Sequence, residues 1–255
     1  MSIKGIDVSK YQGSINWPLV KQDGIEFAMI RVGYGGKVGI CTLDPMFFEN
    51  VNGALAAGLE VGIYLYSYAR SPEAAKKEAE FVLQNIAPYS GKLMYPVVYD
   101  IEDKSQKKLG KSVITAMVDA FCSTIETAGY YASFYANLDW CKNYLDMNVL
   151  SKYDLWFAHW TDNPSKEYAY GMWQYSNKGS VSGINGRVDM NMAYKNYPEI
   201  ICNAGLNGYV EPNDIEKENE KLRAEIRGLE ETLKATRREN ERLGAVIQAV
   251  KQIVA

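Results

Sequence analysis

The chain has one histidine, His159, and four widely spaced cysteines, Cys41, Cys122, Cys141 and Cys202, with no CxxC or CxxxH pattern. That poverty argues against a zinc site, and a chain of 255 residues does not need a disulfide framework. Free, mostly buried thiols in a reducing compartment are expected. A Ser/His/Asp triad would have to use His159, and no GxSxG elbow accompanies it. The GYGG stretch at 33–36 lacks the GxGxxG spacing of a dinucleotide site. Neither cofactor nor metal is therefore expected. No apolar run approaches transmembrane length, which argues against membrane insertion. The start, MSIKGIDVSKYQG, carries no apolar h-region, so no signal peptide is expected and synthesis in the cytoplasm is. Charge of one sign is also missing: 28 basic against 31 acidic residues leave −3. That excludes a global attraction to nucleic acid or to anionic membranes.

Aromatic residues are abundant, with 19 Tyr and 5 Trp, most of them before residue 200. Up to that point short β-rich runs alternate with helical stretches. The strands expected are 3–9, 27–33, 61–68, 95–102, 131–137, 154–160, 171–176 and 188–194. Helices are expected around 18–22, 45–57, 71–85 and 112–128. Ser71, Pro72 and Glu73 form a strong start signal, and Ser112 a weaker cap. Strand–helix alternation argues for a parallel sheet, and about eight strands favour closure. After residue 137 the helices shorten or vanish, so the later strands are expected to pair as hairpins. The fold class is thus α/β: an irregular β/α barrel, TIM-like, with fewer helices than strands.

Residues 1–198 make this barrel, 199–213 read as a turn-rich linker, and 214–255 change composition sharply. The tail follows a heptad. Ile215, Leu222, Leu229, Thr236, Leu243 and Val250 hold d positions; Asn219, Ile226, Leu233, Asn240, Ile247 and Val254 hold a positions. Six heptads predict a coiled coil, because a helix packed on a barrel would drift off a strict seven-residue repeat. Buried Asn219 and Asn240 each want an Asn at the same level, which favours a parallel, in-register assembly. Glu218 and Arg223 can pair between chains. Asn213 and Glu216 resemble a capping box. Val246 and Ile253 widen the stripe beyond what two helices need, so dimer and tetramer both stay open.

The sharpest chemical signal lies in YPVVYDIED (95–103), where an apolar strand ends in acids. Alternation along a strand puts Asp100 and Glu102 on one face and turns Ile101 into the wall. Two neighbouring carboxylates drive their pKa values apart and leave one protonated near neutral pH. A proton donor beside a carboxylate is what glycoside hydrolysis needs. Taken alone, DxE reads more readily as an acidic strand end that caps a helix or pairs with Lys104. Asp7 ends the first strand and Asp189 opens the last, and these are neighbours in a closed barrel. Tyr66, Tyr135, Trp160 and Trp173 end other strands. Four acids inside an aromatic rim read as a sugar site at the C-terminal strand ends.

At these residues the chain resembles the glycoside hydrolase family 25 lysozymes, the muramidases of phage endolysins and bacterial autolysins. The matching stretches are GIDVSKYQGSINW, FAMIRVGYG, VGIYLYSYA, PVVYDIED, FYAN, LWFAHW and WQYSNKGSVSGINGRVDMNMAY, in family order across 3–194. The resemblance implies cleavage of the β-1,4 bond between N-acetylmuramic acid and N-acetylglucosamine in peptidoglycan glycan strands. It implies Glu102 as general acid and Asp100 as the group that orients or charge-stabilises an oxocarbenium- or oxazolinium-like species. Asp7 and Asp189 complete the acidic pocket, Tyr66 and Tyr135 position substrate, and Trp160 and Trp173 belong to its sugar-binding wall. Many relatives have His-Phe where this chain has Tyr66–Ser67, and many carry wall-binding modules where this chain has the heptad tail. Self-association through 214–255 would substitute for such a module by avidity. The expected setting is a phage lysin that reaches the wall through a holin. The competing reading is a non-catalytic glycan-binding or scaffold protein on a retained barrel.

Overall fold

The computed structural model describes residues 2–254; of these, the side chains of Pro212, Asn213, Glu216, Glu218, Ile253 and Val254 are outside the description. The expected Asn213–Glu216 capping box, the Glu218–Arg223 pair, the g-position Ile253 and the a-position Val254 fall on those undescribed side chains. The described chain divides into two units, residues 1–209 and 210–255.

In the first unit, strands β1 (Ile3–Val8), β2 (Phe27–Tyr34), β4 (Glu60–Tyr66), β5 (Val97–Asp100), β6 (Ala132–Asn137), β7 (Asp154–Ala158), β8 (Met172–Gly179) and β9 (Val188–Ala193) close into a barrel. Closure comes from β1, which pairs with β2 in parallel and with β9 antiparallel. A two-residue β3 (Thr42–Leu43) lies antiparallel on β2 beside Gly33, where a Cβ would strike the Thr42 carbonyl. The expected hairpin pairing after residue 137 holds for β8 and β9 but not for β7 and β8, which run parallel. The crossover between β7 and β8 carries no helix. β9 thus runs against its neighbours, and its first residues lie at the rim where the parallel strands end.

Helices α1 (Trp17–Gln22), α2 (Phe47–Ala56), α3 (Pro72–Ile86), α4 (Lys111–Thr127) and α5 (Leu138–Asn143) follow the early strands. Ser71 caps α3 as expected, its hydroxyl accepting from the Ala74 N–H at 3.3 Å, with Pro72 in the first turn. Ser112 does not cap α4: the helix starts at Lys111 behind Gly110, whose φ of 86° suits glycine.

Alternation sorts the side chains into two apolar layers. Ala28, Ile30, Val97, Tyr99, Phe134 and Phe157 face the helices, while Phe27, Met29, Val98, Tyr135, Trp156 and Met172 fill the barrel. Of the segment expected as a linker, 199–213, the part up to Tyr209 belongs to the barrel unit. Helix α6 (Tyr197–Asn203) buries Tyr197 and Ile201 in the interior cluster, with Tyr197 packed on Tyr95. Asn207, at φ 54°, holds the following turn: its amide donates to the Leu93 carbonyl at 2.6 Å and its Oδ1 accepts from the Tyr131 N–H at 2.8 Å. Apolar pattern alone hid this plug, because EIICNAGLNGYVEPN is rich in turn residues.

The second unit is helix α7 (Pro212–Val254), 43 residues and about 64 Å long. Its a and d residues Ile215, Leu222, Ile226, Leu229, Leu233, Leu243, Ile247 and Val250 are 46–70% exposed. Among the described residues no helix is long and apolar enough to cross a membrane.

Candidate active site

The site is built by parity. Asp7 on β1, Arg31 on β2, Tyr64 and Tyr66 on β4, Asp100 on β5, Tyr135 on β6, Trp156 on β7, Gln174 on β8 and Asp189 on β9 line one pocket of about 210 Å³. Each shares its strand's inward-facing face. Asp7 and Asp189 are direct register partners across the β1–β9 ladder, so their side chains meet. Glu102 also lines the pocket, but not from a strand: β5 ends at Asp100. The Ile101 N–H still bonds to the Tyr135 carbonyl at 3.3 Å and its side chain is buried in the outer layer, so alternation carries one step past the strand. Asp103 then caps the 3-10 turn Lys104–Leu109, accepting from the Ser105 N–H at 2.9 Å, and that turn ends the strand geometry.

Of the residues singled out from sequence, the structure brings Asp7, Asp100, Glu102, Asp189, Tyr66 and Tyr135 into the pocket. Trp160 stands past the end of β7, 56% exposed, and its indole N–H bonds to Gln174 at 3.0 Å. Trp173 is not brought there. It has the opposite parity to Met172 and Gln174, packs against the outer layer and Tyr175, and donates its N–H to the His159 carbonyl at 2.9 Å. His159 accepts from the Ser165 N–H and acts as a loop fastener. Sequence reading missed Arg31, Gln174 and Asn191. The latter two lie in the WQY and VDMN stretches, and their parity with Asp189 was the available signal.

Asp7 is buried, and its Oδ2 accepts from Gln174 Nε2 at 2.9 Å and from Asn191 Nδ2 at 2.8 Å. Burial, then the charge of Asp189, pushes its pKa well up, although both amides act the other way. Asp189, its register partner across the β1–β9 ladder, is raised by burial as well. Asp100 is raised well above the ordinary range by burial, then by Glu102 and Asp7, with Arg31 opposing. Its Oδ1 is buried without a hydrogen-bond partner. Glu102 is half-buried and raised by burial and then by Asp189, partly offset by a hydrogen bond with the Tyr135 hydroxyl. The cluster therefore keeps protons at pH values where isolated carboxyls have lost them, which is the condition for a general acid. Arg31 is held by buried Asp44, which accepts from Nε at 2.9 Å and Nη2 at 2.7 Å. Beyond Arg31 the pocket continues into a groove lined by Tyr11, Tyr34, Tyr66, Tyr68 and Lys10. Such rings can stack on sugars. Among the described residues no group of His, Cys, Asp and Glu is arranged to hold a metal ion.

One buried acid lies behind this groove. Glu78 on α3 accepts from the Ser67 hydroxyl at 2.8 Å and the Tyr99 hydroxyl at 2.9 Å, beneath the segment that carries Tyr66 and Tyr68. Burial pushes its carboxyl up from 4.5 to about 7, against the two hydroxyls. A folded-state pKa above the unfolded one makes its contribution greatest below the unfolded value and lost as pH rises through about 7. The shift corresponds to roughly 3 kcal/mol. Melting curves of Glu78→Gln between pH 5 and 8 should therefore fall less steeply than those of the wild type. An equal fall in both would assign the pH dependence elsewhere.

Residues 6–184 match the glycosyl hydrolases family 25. The autolytic lysozyme of Clostridium acetobutylicum is 30% identical over 191 residues, which are 74% of this chain and 55% of that protein. The chain thus spans about half the length of that relative. Among solved structures, a family 25 glycosyl hydrolase from Bacillus anthracis superposes with a TM-score of 0.66 at 26% identity, over 81% of this chain and 93% of that one. The CTP1L endolysin gives 0.67 at 26%, over 78% and 69%. The family match runs from the first barrel strand to the loop before the last, and the chain belongs to this family of glycoside hydrolases.

Proposed function

We propose that the protein is a muramidase that cleaves the β-1,4 bond between N-acetylmuramic acid and N-acetylglucosamine in peptidoglycan. The observation that carries this is Glu102: a half-buried carboxyl, raised by burial and by Asp189, at the rim of a pocket whose floor is acidic. It supplies the proton to the leaving oxygen. The unpartnered Oδ1 of Asp100 accepts the N–H of the substrate's 2-acetamido group. That contact turns the acetamido oxygen on the anomeric carbon and stabilises the oxazolinium-like charge. The route predicts net retention: proton NMR of the fresh product from glycan strands should show the β anomer first. The α anomer first would replace this step by direct attack of water. Release of new reducing ends from purified cell walls tests the activity itself.

We further read α7 as a parallel, self-associating coiled coil that presents several barrels to one wall. Its support is the six-heptad repeat and the exposed stripe from Ile215 to Val250. The likeness to the CTP1L endolysin supports an endolysin role; the proposed setting is a phage or prophage lysin that reaches the wall through a holin.

A further inference from the structure

We propose that Gln174 is a positioning residue whose amide dictates where the protons of the acid pocket sit. An indole N–H donates and never accepts. Trp160 Nε1 lies 3.0 Å from one end of the Gln174 amide, so that end is the oxygen, Oε1. The other end is then Nε2, and it donates to Asp7 Oδ2 at 2.9 Å. The same logic holds on the far side of Asp7. Trp156 Nε1 donates to Asn191 Oδ1 at 2.8 Å, so Asn191 Nδ2 donates to the same Asp7 Oδ2 at 2.8 Å. Two indoles thereby orient two amides, and both amides point donors at one carboxyl oxygen.

An oxygen that accepts two N–H bonds is a poor place for a proton. A proton on Asp7 is therefore confined to the other oxygen, and the acid of its register partner Asp189 stands opposite on β9. Gln174 acts in a second direction too. Its Oε1 also accepts from the Tyr135 hydroxyl at 3.0 Å. A phenol has one proton. With that proton on Gln174, Tyr135 cannot donate to Glu102, its other partner, whose pKa that bond lowers. Gln174 therefore competes with Glu102 for the Tyr135 proton: while Gln174 holds it, Glu102 keeps its own proton more tightly, and the hydroxyl turns to the carboxylate after transfer. The charged and titratable groups around Asp7 are Asp189 on β9, Asp100 and Glu102 at the end of β5, Arg31 on β2, Tyr64 on β4 and Tyr135 on β6. None of them is among the donors to Asp7 Oδ2, which are the amides of Gln174 and Asn191, and Arg31 is held by Asp44. Trp160 is exposed, so a sugar stacking on its ring presses on an indole tied to this amide.

The inference rests on the muramidase reading for its consequence but not for its test. The carboxylic-acid infrared band of Asp7, identified by its loss in Asp7→Asn, reports the proton without substrate. In Gln174→Met that band should persist to higher pH, with about tenfold tighter proton binding, the typical worth of one lost hydrogen bond. On solubilised glycan strands the same variant should lose about tenfold in kcat with KM nearly unchanged. Gln174→Glu should recover at acid pH, where a protonated Glu offers both a donor and an acceptor, and should lose activity as it ionises. Trp160→Phe, at an exposed site, keeps an aromatic ring but removes the N–H; it should move the band and kcat in the same direction, less strongly. An Asp7 band that titrates as in the wild type in Gln174→Met and Trp160→Phe overturns the proposal. So does a Gln174→Glu profile that parallels that of Gln174→Met. A wild type that releases no reducing ends would sink the muramidase reading, while the infrared titration still decides the role of Gln174.

Discussion

Glu102→Gln should lower kcat for reducing-end release from cell walls by about 10³-fold, within the range usual for loss of a general acid. A sugar alkoxide is a poor leaving group, so the glycosidic oxygen must gain a proton as the bond breaks. Glutamine keeps the shape of the side chain and its reach to Tyr135, but it has no proton to give. Binding should survive, so KM should move little. Stability should survive as well, and the sign follows from the pKa. The Glu102 carboxyl is raised in the folded state, so its ionisation opposes folding as pH rises through the folded value. Replacing it by a neutral group removes that opposition, and the melting temperature at neutral pH should be no lower than that of the wild type. Loss of activity with loss of fold would point to structural damage. Equal release from both proteins would sink the role of Glu102, and with it the reading of the pocket.

Ending the chain at Tyr209 should change the mass in sedimentation from an oligomer to one chain, and should weaken adsorption to walls by about 10²- to 10⁴-fold, the range that linkage of several modules supplies. The cut falls where the barrel unit ends. Per-site kcat on short soluble glycans should be unchanged, because every residue of the pocket lies before it. The stripe explains the size of the effect. Leu222, Ile226, Leu229, Leu233, Leu243, Ile247 and Val250 expose apolar side chains along one helix, and each buried against a partner contributes on the order of 1–2 kcal/mol. In the proposed assembly Asn219 and Asn240 would work against stability but in favour of one register. Equal masses for the short and full chains would refute the assembly.

Much of the site was legible because strand alternation is rigid. Asp7 at the end of one strand and Asp189 at the start of another predict an acidic rim as soon as the two strands are neighbours. The register pairing of Asp7 with Asp189 is that prediction realised. Trp173 shows where the logic stops. An aromatic residue at a strand end suggested a sugar wall, yet Trp173 faces outward and the polar Gln174 faces in. Alternation says that the two point in opposite directions; it does not say which one faces the lumen. Helix α6 was hidden for a related reason, since a short plug needs few apolar residues and reads as turns.

From the sequence alone came the eight-strand period, the DxE at a strand end, the two outlying acids and the heptad of the tail. Each is a local pattern, set by the two-residue repeat of a strand or the seven-residue repeat of a helix. Tertiary closure decided the rest. It brought β9 against β1, set Gln174 and Asn191 on Asp7, and gathered four carboxyls, Asp7 and Asp100 among them buried. Those contacts join residues as far apart as Asp7 and Asn191, 184 positions along the chain. Their energy depends on burial and on which donors face which acceptors, and neither is defined until the barrel closes.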